Sequence, residues 1–228
     1  QKELNLEALK EFRDRFQLEI PDNKLENLEF YKPDENSEEI KYLKKRREVL
    51  GGPLPKRSFK KIQLDTPKLE KHSNFLFEDS DREYSTTTGL VRSLGNIMRD
   101  KDFGKRVVPI VADEARTFGM ANLFSQIGIY SPDGQLYEPE DATSILKYQE
   151  SKTGQLLEEG INEAAAISSW LAAATSYSNH NFPMMPFYIF YSMFGFQRIG
   201  DLIWAAADQM PRGFLIGATA GRTTLAGE

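Results

Sequence analysis

At 228 residues and a formal net charge of −5, the chain is long enough for one large or two small domains with a sizeable core. It has no cysteine and two histidines, which excludes a disulfide framework, thiolate zinc sites and a cysteine nucleophile, leaves little for a histidine metal cluster, and suits a cytoplasmic protein. Residues 1–110 hold 23 of the 29 Lys and Arg against 21 acids, whereas residues 111–228 hold 6 against 13, a balance that argues against nucleic acid as a partner of the second half.

In chain order, LNLEALKEFRDRFQLEI places Leu4, Leu9, Phe12 and Phe16 on one side of an amphipathic helix that Pro21 ends. Residues 21–84 are polar, with DENSEE, KYLKKRRE and GGPLPKR, and the KYLKKRRE run reads as a solvated helix face because acids flank it. Residues 1–84 are therefore expected to form a connecting arm with short helices, and a domain is expected to begin at residue 85. There Ser85 or the following threonines can cap a helix that carries Leu90, Val91, Leu94, Ile97 and Met98 on one face.

The remainder alternates. VVPIVAD (107–113) is a short apolar run ending in an acid, SILKYQESKTGQ is polar, and residues 156–175 read as a helix. PFYIFYSMF (186–194) is an aromatic, β-branched strand, FQRIGDLIWAAADQM a helix and GFLIGAT (213–219) a buried strand. Strands spaced by helices predict an α/β fold, a mostly parallel sheet with helices on both faces. Ligands bind such sheets at the carboxyl ends of the strands, which directs attention to Asp113, Glu114, the aromatics up to Phe194, and AGRTTLAGE. No apolar run is long enough to cross a bilayer and no signal peptide is evident, so no membrane is expected as a partner. The start at Gln1 without a methionine and the stop at residues 227–228 without a helix stop read as a piece of a longer protein.

GQLLEEGINE carries three nearby acids, Glu158, Glu159 and Glu163. If the helix begins near residue 156, Glu158 and Glu159 fall in its polar first turn, where negative charge suits the helix dipole. Glu163 instead shares a face with Ile167, Trp170 and Ala174 at i+4, i+7 and i+11. A carboxylate on an apolar face must be hydrogen-bonded, paired or held protonated. It either satisfies backbone amides or an arginine, or it transfers protons. Asp113 and Glu114 allow the same two readings, a helix cap or a functional acid pair. Tyr188, Tyr191 and Phe194 stand at i+3 spacing, which suits core packing or a strand that turns into a helix beneath a flat ring. No GxGxxG, Walker A, HExxH or GxSxG sequence occurs, and the TTTG and AGRTT segments are only weak phosphate signals.

Taken in order, VPIVADEARTFGM, FSQIGIYSPDGQ, EGINE, SWLAAATSYS, PFYIFYSMFGFQRIGDL and GRTTLAGE resemble the pyrimidine-binding domain of transketolase-like thiamine diphosphate enzymes. They are most similar to the homodimeric, decarboxylating first component of bacterial pyruvate dehydrogenase complexes. The resemblance runs from about residue 85 to the end, and residues 1–84 are similar to that family's interdomain segment.

The resemblance implies oxidative decarboxylation of pyruvate with thiamine diphosphate and Mg²⁺, and acetyl transfer to the lipoyl group of an acyltransferase component. It also implies a dimer, because one subunit's diphosphate-binding domain faces the other's pyrimidine-binding domain. Glu163 matches the glutamate that hydrogen-bonds the pyrimidine ring nitrogen and favours the imino tautomer needed for deprotonation at the thiazolium ring. Apolar neighbours Ile161 and Ile167 are expected to raise its proton affinity. Tyr191 matches the aromatic stacked on the pyrimidine, with Tyr188 and Phe194 closing the pocket and Ile161 in its apolar wall. Asp113 and Glu114 match acids near cofactor and substrate. The family's GDG diphosphate and metal motif is not found, so the Mg²⁺ ligands are expected outside this chain, which by itself is expected to be inactive. Rival expectations are a transketolase, another 2-oxoacid dehydrogenase branch, or a non-catalytic α/β assembly module.

Overall fold

The computed structural model describes residues 5–52, 62–72, 83–112 and 115–218. The chain divides into two compact units, residues 1–56 and 57–228.

In the first unit, α1 (Leu6–Arg15) is capped by Asn5, whose side chain accepts the Ala8 N–H at 2.8 Å. The helix ends several residues before Pro21 and buries none of its residues. Phe12 and Phe16 meet each other at 4.6 Å but stay exposed. Helix α2 (Asp22–Glu26) contributes Leu25, the unit's buried apolar residue among those described. Lys10 and then Arg13 donate hydrogen bonds to Asp22 and hold its carboxyl well below the usual range, at about 2. Helix α3 (Glu38–Val49) carries KYLKKRRE on a solvated surface, as expected, with Ser37 as its cap.

The second unit is built on a four-stranded parallel sheet. Its strands are β1 (Val107–Val111), β4 (Leu157–Glu158), β5 (Met185–Tyr191) and β6 (Phe214–Ala218), in the order β4-β1-β5-β6. Two shorter strands, β2 (Ile129–Tyr130) and β3 (Glu150–Ser151), pair in parallel beside it. This is the α/β architecture expected from the alternation, with helices on both faces.

The register aligns Val107–Val111 with residues 185–189 of β5, and Phe187–Tyr191 with residues 214–218 of β6. Alternation then sorts the side chains. Val107, Val111, Phe187 and Ile189 face a cluster with Val91, Leu94 and Phe124, from α4 (Thr86–Ile97) and α5 (Ala121–Ile127). Ile110, Tyr188 and Phe190 face α6 (Glu163–Ala174) and α8 (Ser192–Ala207) through Ala166, Ile167, Trp170 and Ile199. The short α7 (Ser176–Asn179) follows α6.

Ser85 caps α4 as its sequence predicts, accepting the Thr88 N–H at 3.1 Å. Two boundaries differ from expectation. The helix expected from residue 156 begins at Glu163, because Leu157–Glu158 joins the edge of β1 and Gly160, at φ +68°, turns the chain. Asn162 then caps α6 by accepting the Ala165 N–H at 3.0 Å. Glu158 and Glu159 are therefore not in a first helical turn. The aromatic strand likewise stops at Tyr191, and α8 starts at the next residue.

Helix α6 is tied to the sheet by the Trp170 indole N–H, which donates to the Phe214 carbonyl at 3.1 Å, and by the Arg212 N–H, which donates to the Ala174 carbonyl at 2.9 Å. Helix α8 lies so close to β5 that a Cβ on Gly195 would fall 2.2 Å from the Phe190 ring. Among the described residues no helix is long and apolar enough to cross a membrane.

Gly195→Ala is expected to cost about 1–3 kcal/mol through overpacking against Phe190, measured by denaturant unfolding. The buried hydroxyls give a second expectation. Burial, and then the charge of Glu163, push the Tyr188 hydroxyl pKa above the ordinary value, and burial followed by the charge of Glu158 does the same for Tyr148. Stability from a group raised in this way is present below the unfolded tyrosine pKa of about 10 and is lost as pH rises past it, because the unfolded chain ionises first. Thermal melts between neutral pH and pH about 11 should therefore show a shallower alkaline loss for Tyr188→Phe and Tyr148→Phe than for the wild type.

Candidate functional site

All four strands of the main sheet point the same way, so their carboxyl ends form one edge. β1 ends at Val111, β4 at Glu158, β5 at Tyr191 and β6 at Ala218. Each terminus places a side chain where no further ladder pairing competes for space, the general location of ligand sites in parallel sheets.

Glu163 stands there because the turn after β4 delivers it to the first turn of α6. Its partners on the wheel, Ile167, Trp170 and Ala174, are buried as the spacing implies. The Glu163 side chain is itself only 13% exposed, and it accepts a hydrogen bond from the Arg198 guanidinium, whose side chain is 50% exposed. The apolar sheath expected from Ile161 is missing, since Ile161 is 79% exposed. The nearest charged neighbour that the structure gives this acid is a cation from α8.

Arg198 also lies over the Phe194 ring, at 4.9 Å from its centroid. Phe194 meets Tyr191 edge-on at 6.3 Å, and Tyr191 meets Phe118 at 4.8 Å. A continuous row of contacts thus runs from Glu163 through Arg198 and Phe194 to Tyr191 and Phe118. The i+3 pair Tyr191 and Phe194 comes together because the chain passes from strand to helix between them.

Tyr188 and Tyr191 do not meet in the same way. Both lie within β5, where three residues reverse the side-chain direction, so Tyr191 packs with the α4–α5 side and Tyr188 with the α6–α8 side. Tyr188 is fully buried, its ring 5.0 Å from that of Phe190, and its hydroxyl has no hydrogen-bond partner among the described residues. Burial, and then the charge of Glu163, raise the pKa of that hydroxyl, and Tyr188 packs with Ile110, Ile167 and Trp170 rather than beside the Tyr191 ring.

Asp113 and Glu114, and the AGRTTLAGE segment, lie outside the described residues. The residues flanking the acid pair are described. Ala112 follows β1, and buried Ala115 opens the turn that carries Phe118 to Tyr191. The Ala115 N–H donates to Glu158 Oε1 at 3.3 Å.

Three participants escape the sequence reading: Arg198, Phe118 and Glu158. Arg198 is 35 residues from Glu163, too far for any helical or strand spacing to connect them. Its one signal is scarcity, as one of 6 cations in residues 111–228. Among the described residues, no group of three or more His, Asp or Glu side chains is gathered as a metal site.

The arrangement can hold one edge and one face of a flat heteroaromatic ring: a carboxylate with fixed direction for a ring nitrogen, and an aromatic wall for the ring itself. Among the described residues, Arg198 is the cation in contact with this arrangement.

Residues 68–228 match the family model described as the pyruvate dehydrogenase E1 component middle domain. The whole chain is 58% identical over 227 residues to a pyruvate dehydrogenase E1 component of Pseudomonas aeruginosa and 53% identical over 228 residues to that of Escherichia coli K12, covering 26% of each relative. It is 51% identical over 231 residues to that of Mycobacterium tuberculosis, covering 25% of it. The chain thus spans about a quarter of the length of these relatives. With a matched middle-domain model, and relatives aligned along its entire length, the chain belongs to the pyruvate dehydrogenase E1 component family.

Proposed function

We propose that the whole protein decarboxylates pyruvate oxidatively with thiamine diphosphate and passes the acetyl group to the lipoyl group of an acyltransferase component, and that this chain supplies the aminopyrimidine half of the site. Residues 85–228 act as the pyrimidine-binding domain and residues 1–84 as the arm leading to it. The observation that carries the reading is the largely buried Glu163 carboxylate at the carboxyl edge of the sheet, paired with Arg198 and followed by an aromatic row. Family membership supports the substrate, and the relatives' shared name is pyruvate dehydrogenase E1 component.

Thiamine diphosphate supplies a nucleophilic ring carbon and a sink for the electrons released on decarboxylation. The chain's residues provide orientation and proton handling. Glu163 directs a carboxyl oxygen at the pyrimidine ring nitrogen and shares or moves a proton there. Arg198 fixes the direction of that oxygen, and its contact with Phe194 couples the carboxylate to the ring wall. Tyr191 and Phe194 present flat surfaces to the pyrimidine. Tyr188 supports Glu163 from the core, while Ile161, exposed in this chain, is free to close the apolar side when the diphosphate-binding half is present. Asp113 and Glu114 handle water and protons near the substrate. Mg²⁺ is held by residues elsewhere in the whole protein, a cytoplasmic homodimer within the multienzyme complex.

In the full-length enzyme, Glu163→Gln is expected to lower pyruvate turnover about 10²–10⁴-fold, the range for losing a positioned proton-transfer group, with the circular dichroism spectrum and melting midpoint retained. Near-normal turnover would overturn the assignment. Arg198→Ala leaves the carboxyl group in place but undirected, so a smaller loss of about 10–10²-fold is expected, with partial recovery in Arg198→Lys, measured by the same assay. Pyruvate should be preferred to branched-chain 2-oxoacids and to sugar phosphates in parallel assays with a lipoyl acceptor.

A further inference from the structure

Of the three rings in the row Phe194, Tyr191 and Phe118, Phe118 alone is carried by neither strand nor helix. It belongs to residues 115–120, where the chain turns between β1 and α5. That turn closes on itself: the Met120 N–H donates to the Ala115 carbonyl at 2.8 Å and the Gly119 N–H to the Arg116 carbonyl at 2.9 Å. Gly119, at φ +72°, takes the left-handed conformation that glycine enters without strain. Ala115, Phe118 and Met120 are buried while Arg116 and Gly119 are exposed, so the turn is pinned to the α4–α5 cluster at three points.

The sheet itself does little to orient the Tyr191 ring. Tyr191 is the last residue of β5, is half-buried and leads directly into α8. On one side β1 has already ended, since its last pair is Val111 with Ile189, and on the other the residue in register is Ala218, whose methyl group is too small to orient a phenol. Among the described residues two rings meet it: Phe118, 4.8 Å away and tilted by 39°, and Phe194, 6.3 Å away and edge-on at 80°. Phe118 is the nearer and, at 4% exposure, the more deeply buried.

We propose that Phe118 is a positioning residue for Tyr191: the closed turn after β1 holds a buried ring against the Tyr191 ring, fixes its tilt, and so presets the flat surface offered to the pyrimidine before the cofactor arrives. This rests on the stacking role given to Tyr191. The requirement is for a ring rather than for apolar volume, because ring pairs have a preferred geometry that an aliphatic side chain lacks. A preset wall lowers the ordering cost of binding, so its loss appears in cofactor affinity more than in the chemical step.

Two variants of the full-length enzyme separate positioning from core packing. F118L removes the ring and keeps a buried apolar side chain. F103L makes the same exchange at Phe103, which is 6% exposed in the same cluster but precedes β1 at the amino edge of the sheet. With saturating Mg²⁺, the dissociation constant for thiamine diphosphate, followed by quenching of intrinsic fluorescence, is expected to rise about tenfold in F118L, the upper end of what a ring pair contributes, and less than about twofold in F103L. With the cofactor saturating, kcat for pyruvate should fall less than about threefold in F118L. In a Y191A background, F118L should weaken binding by less than about twofold more. In the cofactor-free enzyme, the fluorine resonance of 3-fluorotyrosine placed at position 191 should be one line in the wild type and in F103L, and should broaden or split in F118L.

An unchanged dissociation constant in F118L beside a weakened Y191A, an equal rise in F118L and F103L, or full additivity with Y191A each overturns the proposal, as does an undisturbed fluorine line in F118L. If Y191A itself binds thiamine diphosphate as the wild type does, the stacking reading fails, and the fluorine line still decides whether Phe118 holds the ring.

Discussion

The pairing of β1 with β5 is the constraint on which the second unit rests. Both strands are covered on both faces, so their backbone N–H and C=O groups must be satisfied within the ladder, and five consecutive register pairs do this. Parallel pairing forbids a tight hairpin between them, and the intervening chain must travel back to the amino end of the sheet before β5 can begin. Residues 112–184 make that return, and nearly every feature of the site is a consequence of where they leave and rejoin the sheet. β4 adds to the outer side of β1, α6 returns over one face, and β5 then re-enters beside β1.

A sheet with two covered faces has two sets of side chains arriving at its carboxyl edge. One set carries Glu158 and Tyr191, and the other leads to Tyr188 and the start of α6 at Glu163. Neither face alone assembles a ring site. Arg198 connects them, because α8 begins directly at the end of β5, and its guanidinium both donates to Glu163 and lies over the Phe194 ring. A guanidinium suits this double contact, because it can hydrogen-bond a carboxylate and interact with an aromatic ring at once.

Local signals carried much of this architecture into the sequence. The Ser85 cap, the apolar face of α4 and the apolar runs at 107–111, 185–191 and 214–218 are legible because each is a repeat of short period or a single capping residue, although the expected burial fails in the last run, where Phe214 is exposed and only Ala218 is buried. The inward direction of Glu163 is legible for the same reason. The start of α6 is not read correctly from apolar content, since Leu156 and Leu157 fit a helix and a strand equally well; Gly160 and the Asn162 cap mark the boundary. Of the two alternatives that the i+3 spacing left open, core packing holds for Tyr188, since on a strand that spacing turns it away from Tyr191. Arg198, Phe118 and the inward Glu158 depend on contacts between segments far apart in the chain, which no local period encodes.

The absence of any loop between Tyr191 and Ser192 limits how proteins of this architecture can vary. One residue inserted at that junction would rotate α8 by about 100° about its axis, since a helix turns once per 3.6 residues. Phe194 would leave Tyr191 and Arg198 would leave Glu163 in the same step, while Gly195 would no longer face the Phe190 ring. Length changes are therefore excluded here, and diversification of the ring wall must proceed by exchanging side chains at fixed positions.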